Sequence, residues 1–411
     1  MPEYHIHTLP NGIRILHKQV LHTKIAHSGF TLDIGSRDEN ESQLGLAHFW
    51  EHMAFKGTEK RKAFHIINRL ESVGGELNAY TTKEKICFYA SILDAHFEKA
   101  FELLTDITFH SVFPEKEIEK ERGVILEEMS MYLDNPEDAI VDEFDSVIFP
   151  NHSLGNNILG TTESVSRFHK ADFFEFLSQN LSTDRLIFAS VSNLPFEKVV
   201  RLAEKYLAPI PAKIQQRNRT PFHQYKPQIL TLQKPINQAH CMIGAPAYGL
   251  SDPKRIPFFM LSNLIGGPGM NSRLNLAVRE KYGLVYTIDA SYTAYVDTGL
   301  FNIYFGTEKK QLARTTDLVL KELKKLREKP LTATQLHNTQ SQLMGQLAMA
   351  EESNIGYMMM MGKSMLDLNR IDTLNEIFDQ IKNTTAADLQ DIANEILAED
   401  KLSFLNYVPV K

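Results

Sequence analysis

The sequence predicts the α+β class, with two similar domains that are each a mainly antiparallel sheet packed with helices. Three observations lead to this prediction. The length of 411 residues suggests two or three domains at about 150 residues per domain. Runs of strand-like sequence are followed by runs of helix-like sequence, whereas a parallel α/β sheet requires strict alternation. The order of elements in the first half recurs in the second, so we infer a duplication from element order alone.

The composition is that of a globular protein. Hydrophobic residues make up 43% and charged residues 23% of the chain. The formal net charge of −7 argues against a nucleic-acid partner. Cys87 and Cys241 lie far apart and lack a CxxC spacing, which excludes a disulfide framework and makes a cysteine-based zinc site improbable. With no signal-peptide pattern and no apolar run of about 18 residues, we expect a cytoplasmic protein with no membrane partner.

In the first domain, predicted to cover residues 1–208, apolar alternation indicates strands and helical periodicity indicates helices. A turn at Asn11-Gly12 precedes the first strand. The last two strands form a predicted hairpin after Gly74-Gly75. The predicted strands are 13–20, 24–34, 76–82 and 85–93. The predicted helices are 44–55, 64–73, 95–110 and 114–132, the last with Pro114 at its first position.

Residues 209–227 hold four prolines and a polar run, which predicts an interdomain linker. The second domain is predicted over 228–411 and follows the same order of elements. Its predicted strands are 229–232, 239–245, 284–295, 299–305 and 402–408. Its predicted helices are 253–264, 270–281 and several more between 309 and 398.

The motif most informative about chemistry is His48-Phe49-Trp50-Glu51-His52, inside a predicted helix. Positions i, i+3 and i+4 share one face of a helix, so His48, Glu51 and His52 point the same way. Two imidazoles at this spacing can bind one Zn²⁺. Glu51 lies beside the open coordination position, where it can take a proton from the attacking water. This is the H-x-x-E-H order of the inverzincins.

A catalytic zinc normally has three protein ligands, so a third must come from elsewhere in the chain. The acidic helix around residues 119–129 supplies the candidates. Glu121 and Glu128 are two helical turns apart and share one face, whereas Glu127 is rotated off it. The spacing favours Glu121 or Glu128 over Glu127 and does not separate the first two.

Residues 45–58 (GLAHFWEHMAFKGT) and 121–129 (ERGVILEEM) resemble the two zinc segments of the pitrilysin, insulin-degrading enzyme and mitochondrial processing peptidase family. The resemblance implies that Glu128 is the third ligand and that Glu121 supports the site. It extends over nearly the whole chain and is closest to the short branch, in which one chain supplies two domains. Trp50 stands where relatives commonly carry a smaller aliphatic residue, which predicts altered packing and an intact zinc site.

Two further segments resemble the same family. Residues 74–81 (GGELNAYT) are similar to its active-site edge strand, which implies that the backbone binds an extended peptide by strand addition. The residues expected to bind substrate there are Asn78, Ala79, Tyr80 and Thr81.

In the second half, residues 271–274 and 279–286 are similar to the family's arginine–tyrosine element. Arg279 and Tyr286 are the matching pair, which implies that they hold the scissile carbonyl and its oxyanion. The glycine loop before this element, residues 266–269, departs from the family's plain run of glycines. The short form implies a dimer that closes like a clamshell around a chamber, in which this pair serves the zinc site of the partner chain.

These observations predict a zinc metalloendopeptidase that binds one Zn²⁺ per chain through His48, His52 and Glu128. Glu51 is the predicted general base. A homodimer is expected, with a heterodimer of related chains as the alternative. Two other functions stay open from the sequence. One is a non-catalytic or partner-dependent scaffold or processing subunit of a heterodimeric peptidase. The other is a zinc hydrolase of non-peptide amides, which a small closed pocket would favour.

Overall fold

The computed structural model describes residues 4–410. Its strands, numbered in chain order, are β1 (His5–Thr8), β2 (Arg14–Gln19), β3 (Ile25–Leu32), β4 (Glu76–Thr81), β5 (Ile86–Leu93), β6 (Leu186–Ser192), β7 (Ile229–Lys234), β8 (Ala239–Ala247), β9 (Val285–Ala294), β10 (Gly299–Thr307) and β11 (Ser403–Pro409). Each predicted strand overlaps one of these. The two sheets that they form, with helices packed on them, confirm the predicted α+β class.

The α-helices, numbered likewise, are α1 (Leu46–Ala54), α2 (Ala63–Glu71), α3 (Phe97–Phe109), α4 (Glu115–Asp134), α5 (Pro136–Ile148), α6 (Thr162–Arg167), α7 (Lys170–Asn180), α8 (Phe196–Tyr206), α9 (Arg255–Gly266), α10 (Leu312–Glu328), α11 (Ala333–Glu351), α12 (Asn354–Leu368), α13 (Leu374–Asn383) and α14 (Ala386–Ile396). The helix predicted over 270–281 contains π-helical hydrogen bonding at Asn275–Glu280. No helix within residues 4–410 is long and apolar enough to span a membrane.

The chain forms two compact units, and each is assembled from separate stretches of sequence. The first unit holds the described residues up to Ser130 together with Asn156–Arg219 and Ala350–Ile371. The second unit holds Met131–Gly155, Thr220–Met349 and the described residues from Asp372 onward. The predicted domains, 1–208 and 228–411, are continuous stretches of sequence. In the structure, Met131–Gly155 belongs to the second unit and Ala350–Ile371 belongs to the first.

The first unit is built on a six-stranded sheet in the order β1-β2-β6-β3-β5-β4. The β2–β6 pair is parallel and the other pairs are antiparallel. Alternate residues of β6 show how both faces are covered: Leu186 and Phe188 pack into the larger core with α1 and α3, and Ile187 and Ala189 pack on the opposite face. That opposite face is covered by the α12 methionines Met358, Met361 and Met365, which act as core residues.

The second unit is built on a five-stranded sheet in the order β7-β11-β8-β10-β9. Only the β7–β11 pair in this order is parallel. Ile243 of β8 packs into the core shared with α9 and α14, whereas its neighbour Met242 packs with Ile140 and Phe144 of α5 on the other face. In each unit, a helix from a distant part of the chain therefore covers the second face of the sheet.

The segment predicted as a linker is extended, and residues 211–228 contain neither helix nor strand. Its first part is tied to the first unit by two arginines. Arg217 contacts the Asp33 carboxylate at 2.5 Å, and Arg219 forms an ion pair with Asp38 at 2.7 Å. Asp33 also pairs with Lys85 at 3.0 Å, so this carboxylate is compensated by several cations. Arg219 and Asp33 are buried, whereas Arg217 is partly exposed.

The start of α1 is fixed by two contacts. Glu39 is buried and accepts hydrogen bonds from the backbone N–H groups of Gly45 (2.9 Å) and Ala47 (2.7 Å), at the positive end of the helix. Gly45 has a φ of +90°, and a Cβ added there would overlap the carbonyl oxygen of Leu159. The backbone can therefore enter α1 at this angle only with glycine at position 45.

We expect Gly45→Ala to lower the free energy of unfolding by at least about 1–3 kcal/mol, because the positive φ and the overlap with Leu159 both oppose a side chain. The matched control is Gly123→Ala in α4, where a Cβ would meet nothing within 4 Å. This control should raise the stability by about 0.5–1 kcal/mol, since alanine favours helix over glycine. Urea unfolding followed by circular dichroism measures both, and a Gly45→Ala variant as stable as the parent would contradict the account.

Candidate active site

Helix α1 presents His48, Glu51 and His52 on one face, as the i, i+3, i+4 spacing predicts. The two imidazole centroids are 4.6 Å apart. The opposite face of the helix is anchored in the core, where Trp50 is fully buried against Phe88 with ring centroids 5.5 Å apart. Trp50 therefore packs away from the two histidines, in agreement with the expectation from its position.

Helix α4 places a carboxylate beside both imidazoles. Glu128 Oε2 is 3.8 Å from His48 Nε2 and 3.5 Å from His52 Nε2. One ligand atom from each of the three residues can be chosen so that all lie within 4.8 Å of one another. A tetrahedral zinc with bonds of about 2.0–2.1 Å separates its ligand atoms by about 3.3 Å, so the measured spacing is close to a zinc tetrahedron.

Glu121, the other glutamate that the spacing left open, takes a different place. Its Oε1 accepts a hydrogen bond from His52 Nδ1 at 3.0 Å, and its Oε2 pairs with Lys56 Nζ at 2.6 Å. The bond to Nδ1 fixes the imidazole so that Nε2 faces Glu128. Sequence reasoning missed Lys56, although its i+4 position after His52 is a readable signal.

The two histidines differ in their electrostatics. Burial, with the charge of His52 adding to it, lowers the pKa of His48 to about 4. Burial also lowers the pKa of His52, but hydrogen bonds with Glu121 and Glu128 outweigh it and raise this pKa to about 9. The same bond with His52 lowers the pKa of Glu128. The group therefore combines one neutral imidazole, one protonated imidazole and an ionised carboxylate near neutral pH.

The donor set fits zinc. Two imidazole nitrogens and a carboxylate oxygen are borderline and hard ligands of the kind that Zn²⁺ takes in catalytic sites. Within residues 4–410, this is the one cluster of three or more histidine, cysteine or acidic side chains with metal-ligand spacing. The ring of His52 is oriented by Glu121, whereas Nδ1 of His48 has no hydrogen-bond partner in the described chain and that ring is held by burial.

Glu51 lies beside this group, and its carboxylate is held by the edge strand. Thr81, the last residue of β4, donates its hydroxyl to Glu51 Oε2 at 2.5 Å. Burial raises the pKa of Glu51, and the bond from Thr81 opposes that rise. The sequence predicts a role for Thr81 only through its backbone. The contact joins positions 30 residues apart in different elements, and no spacing in the sequence signals it.

Strand β4 is at the edge of its sheet, paired only with β5. Thr82 donates its N–H to the Lys85 carbonyl, so the neighbouring Thr81–Ile86 pair is of the type without cross-strand hydrogen bonds. By alternation, the backbone groups of Leu77, Ala79 and Thr81 point toward the open edge. The Asn78 side chain occupies part of that edge, since its Oδ1 accepts the N–H of Ala79 at 2.9 Å.

Of residues 78–81, all four of which are predicted to offer their backbone to substrate, only two have backbone groups that face the open edge. The backbone groups of Asn78 and Tyr80 face β5, because they alternate with the outward residues. The backbone groups of Ala79 and Thr81 face the open edge, as do those of Leu77, which the sequence analysis did not name. The sequence could not separate these positions, since which residues face outward depends on the register of the hairpin.

Arg279 and Tyr286 lie in the second unit, and the structure brings them to each other. The Arg279 guanidinium is 5.9 Å from the centroid of the Tyr286 ring, within the range of a cation–π contact. Arg279 is in the π-helical turn, a geometry that often occurs at functional sites. Tyr286 is 86% exposed, so its ring is not part of the hydrophobic core.

Comparison with known proteins gives two family matches. The model described as Insulinase (Peptidase family M16) matches residues 14–162, and the model described as the peptidase M16 inactive domain matches residues 167–343. All the residues of the H-x-x-E-H motif, with Glu121 and Glu128, lie in the first match. Arg279 and Tyr286 lie in the second.

A curated relative is similar over nearly its full length. The uncharacterized zinc protease YmxG of Bacillus subtilis is 32% identical over 396 residues, which is 96% of each chain. Two solved structures share the fold. The peptidase M16 inactive domain from Pseudomonas fluorescens has a TM-score of 0.92 at 19% identity and covers 99% of this chain and 98% of that one. A protease from Helicobacter pylori has a TM-score of 0.91 at 20% identity and covers 100% of both chains.

The name of the Bacillus subtilis relative supports a zinc peptidase, and the two structures support the two-sheet architecture. The relative exceeds 30% identity across almost the whole chain. The chain therefore belongs to the insulinase family of peptidases, family M16, as one of its short two-domain members.

Proposed function

We propose that this protein is a zinc-dependent endopeptidase that hydrolyses peptides or unfolded segments bound as an added β-strand. One observation carries the proposal: two imidazoles and a carboxylate converge within 4.8 Å near the end of β4, an edge strand with one open side. One Zn²⁺ per chain would be held by His48, His52 and Glu128. Glu121 would support the site by orienting His52.

Zinc at this position supplies a Lewis acid that polarises the scissile carbonyl and lowers the pKa of water. The chain's own contribution to the reaction is the carboxylate of Glu51. Its Oε2 is bound by Thr81, which leaves Oε1 to accept a proton from the attacking water. Glu51 then passes that proton to the leaving amine, so that one residue acts as base and then as acid.

The substrate would be recognised through its main chain. An extended peptide beside β4 can exchange backbone hydrogen bonds with Leu77, Ala79 and Thr81, whose groups face the open edge. To reach the N–H of Ala79, the peptide carbonyl must replace the side chain of Asn78. Recognition of this kind tolerates many side chains, so a range of unfolded peptides is the expected substrate class. An open strand edge also favours peptides over small amides.

Arg279 and Tyr286 would stabilise the oxyanion from the second domain. Their cation–π contact holds the guanidinium and the phenol as one exposed pair, and both groups can donate hydrogen bonds to developing negative charge. We propose that they serve the zinc site of the partner chain in a dimer. A homodimer is the simplest assembly, and a heterodimer with a related chain is the alternative. The cytoplasm remains the proposed location.

The function is tested by cleavage of a mixed library of quenched-fluorescent peptides with the zinc-loaded protein. We expect the wild type to cleave and Glu51→Gln to lose about 10²–10⁴-fold or more in rate, because the general base is removed. Both proteins should bind the same amount of zinc. Glu127→Gln, an exposed neighbour of Glu128 on α4, is the matched control and should cleave at the wild-type rate.

The negative outcome separates the alternatives. A wild type that binds zinc and cleaves no peptide would contradict an autonomous endopeptidase. If a related chain restored cleavage, the protein would be the partner-dependent subunit of a heterodimer, and if nothing did, it would be a scaffold. Turnover of small amides without turnover of peptides would instead indicate an amidohydrolase.

Zinc binding should release about one proton per zinc at about pH 6, where His52 is protonated and His48 is already neutral. A proton on His52 competes with the metal, so the apparent affinity should rise with pH and level off above a pH of about 9. Calorimetric titration in two buffers with different protonation enthalpies gives the number of protons. Release of two protons, or of none, would contradict the unequal pKa values of the two histidines.

A further inference from the structure

Thr81 is the residue at which the edge strand contacts the carboxylate of the predicted base. Its hydroxyl donates to Glu51 Oε2 at 2.5 Å, and its backbone groups face the open edge of β4. Thr81 can therefore interact in two directions. Its side chain contacts Glu51 of α1, and its backbone faces the position where a peptide strand would lie. None of the other side chains in residues 4–410 makes a hydrogen bond to the Glu51 carboxylate.

A glutamate carboxylate rotates readily about its last torsion unless a bond restrains it. The hydroxyl of Thr81 fixes one oxygen of Glu51 and so orients the other. The donor belongs to the strand that would bind the substrate backbone. The Glu51 carboxylate is therefore positioned relative to the bound peptide as well as relative to its own helix. Misplacement of a catalytic group by about 1 Å can cost about 100-fold in rate.

We propose that Thr81 is a positioning residue that holds the Glu51 carboxylate in register with a peptide bound along β4. This inference rests on the proposed function. It assigns to the threonine hydroxyl a role in turnover that is separate from the role of its backbone in binding. The two roles predict different kinetic effects, because replacing the side chain leaves the backbone hydrogen bonds of Thr81 in place.

The test compares Thr81→Val, which keeps the shape and removes the donor, with Thr81→Ser, which keeps the donor. The substrate is the best-cleaved peptide of the quenched-fluorescent library. We expect Thr81→Val to lower kcat by about 10- to 100-fold, since a hydrogen bond to a charged group is lost. Its KM should stay within about twofold of the wild type, and Thr81→Ser should restore kcat to within about threefold.

Thr105→Val is the matched control for loss of a buried threonine hydroxyl. Thr105 is 4% exposed in α3, and its hydroxyl bonds the Phe101 carbonyl at 2.9 Å, away from Glu51. We expect this variant to keep the wild-type kcat. Zinc content and the unfolding midpoint, measured for every variant, show whether any loss of kcat comes from lost metal or lost fold.

A binding measurement gives a readout that does not depend on turnover. A fluorescein-labelled copy of the same peptide is titrated with zinc-loaded Glu51→Gln and with the Glu51→Gln, Thr81→Val double variant. The two Kd values should agree within about twofold, because the backbone of Thr81 still faces the peptide. A Kd raised tenfold or more by Thr81→Val would mean that the hydroxyl acts on the substrate, and would overturn the positioning role.

The two proposals fail in different ways. If neither the wild type nor Thr81→Ser cleaves any peptide, the proposed endopeptidase function fails. If the wild type cleaves and Thr81→Val keeps the wild-type kcat, the endopeptidase stands and the positioning role of Thr81 is wrong. The role is also wrong if Thr81→Ser loses as much kcat as Thr81→Val while both variants keep zinc and stability.

Discussion

The hydrogen bond between His52 and Glu121 joins the two helices that carry the candidate zinc ligands. Helix α1 contributes both imidazoles and helix α4 contributes Glu128, so the site forms only if the two helices keep a fixed position relative to each other. Glu121 of α4 stabilises that position, because one of its carboxylate oxygens bonds His52 and the other pairs with Lys56. The rest of the unit supports the same geometry, since Glu39 and Gly45 fix the start of α1 and the Trp50 face anchors it in the core.

In the proposed function, the edge strand of the first sheet sets the direction in which a peptide lies beside the candidate zinc ligands. Strand β4 ends at Thr81, whose hydroxyl donates a hydrogen bond to Glu51. The open edge of the strand therefore ends beside the proposed general base. An unprotected edge strand is also a site for unwanted pairing. The Asn78 side chain covers the N–H of Ala79 at that edge and so shields it from unwanted pairing. In the proposed function, peptide binding and catalysis are therefore linked through this one short strand.

The sequence was sufficient where the chemistry depends on local spacing. His48, Glu51 and His52 share a helical face at any tertiary packing, so their convergence follows from periodicity. Glu121 and Glu128 share one face of α4, and only packing against α1 shows that one meets Nδ1 of His52 and the other its Nε2. The contact of Thr81 with Glu51 depends on hairpin register. Each sheet is also covered on one face by a helix that is distant in sequence, α12 in the first unit and α5 in the second. That arrangement depends on which face the other helices of the unit leave uncovered, so local patterns do not predict it.

If α1 and α4 together hold one zinc, two adjacent alanine variants on α4 should differ sharply in zinc affinity. Zinc affinity is measured by equilibrium dialysis with metal analysis for Glu128→Ala and Glu127→Ala. The account predicts one zinc per chain and wild-type affinity for Glu127→Ala. It predicts a loss of more than about 100-fold for Glu128→Ala, which exceeds the cost of removing a supporting residue such as Glu121. Equal zinc affinity in the two variants would contradict it.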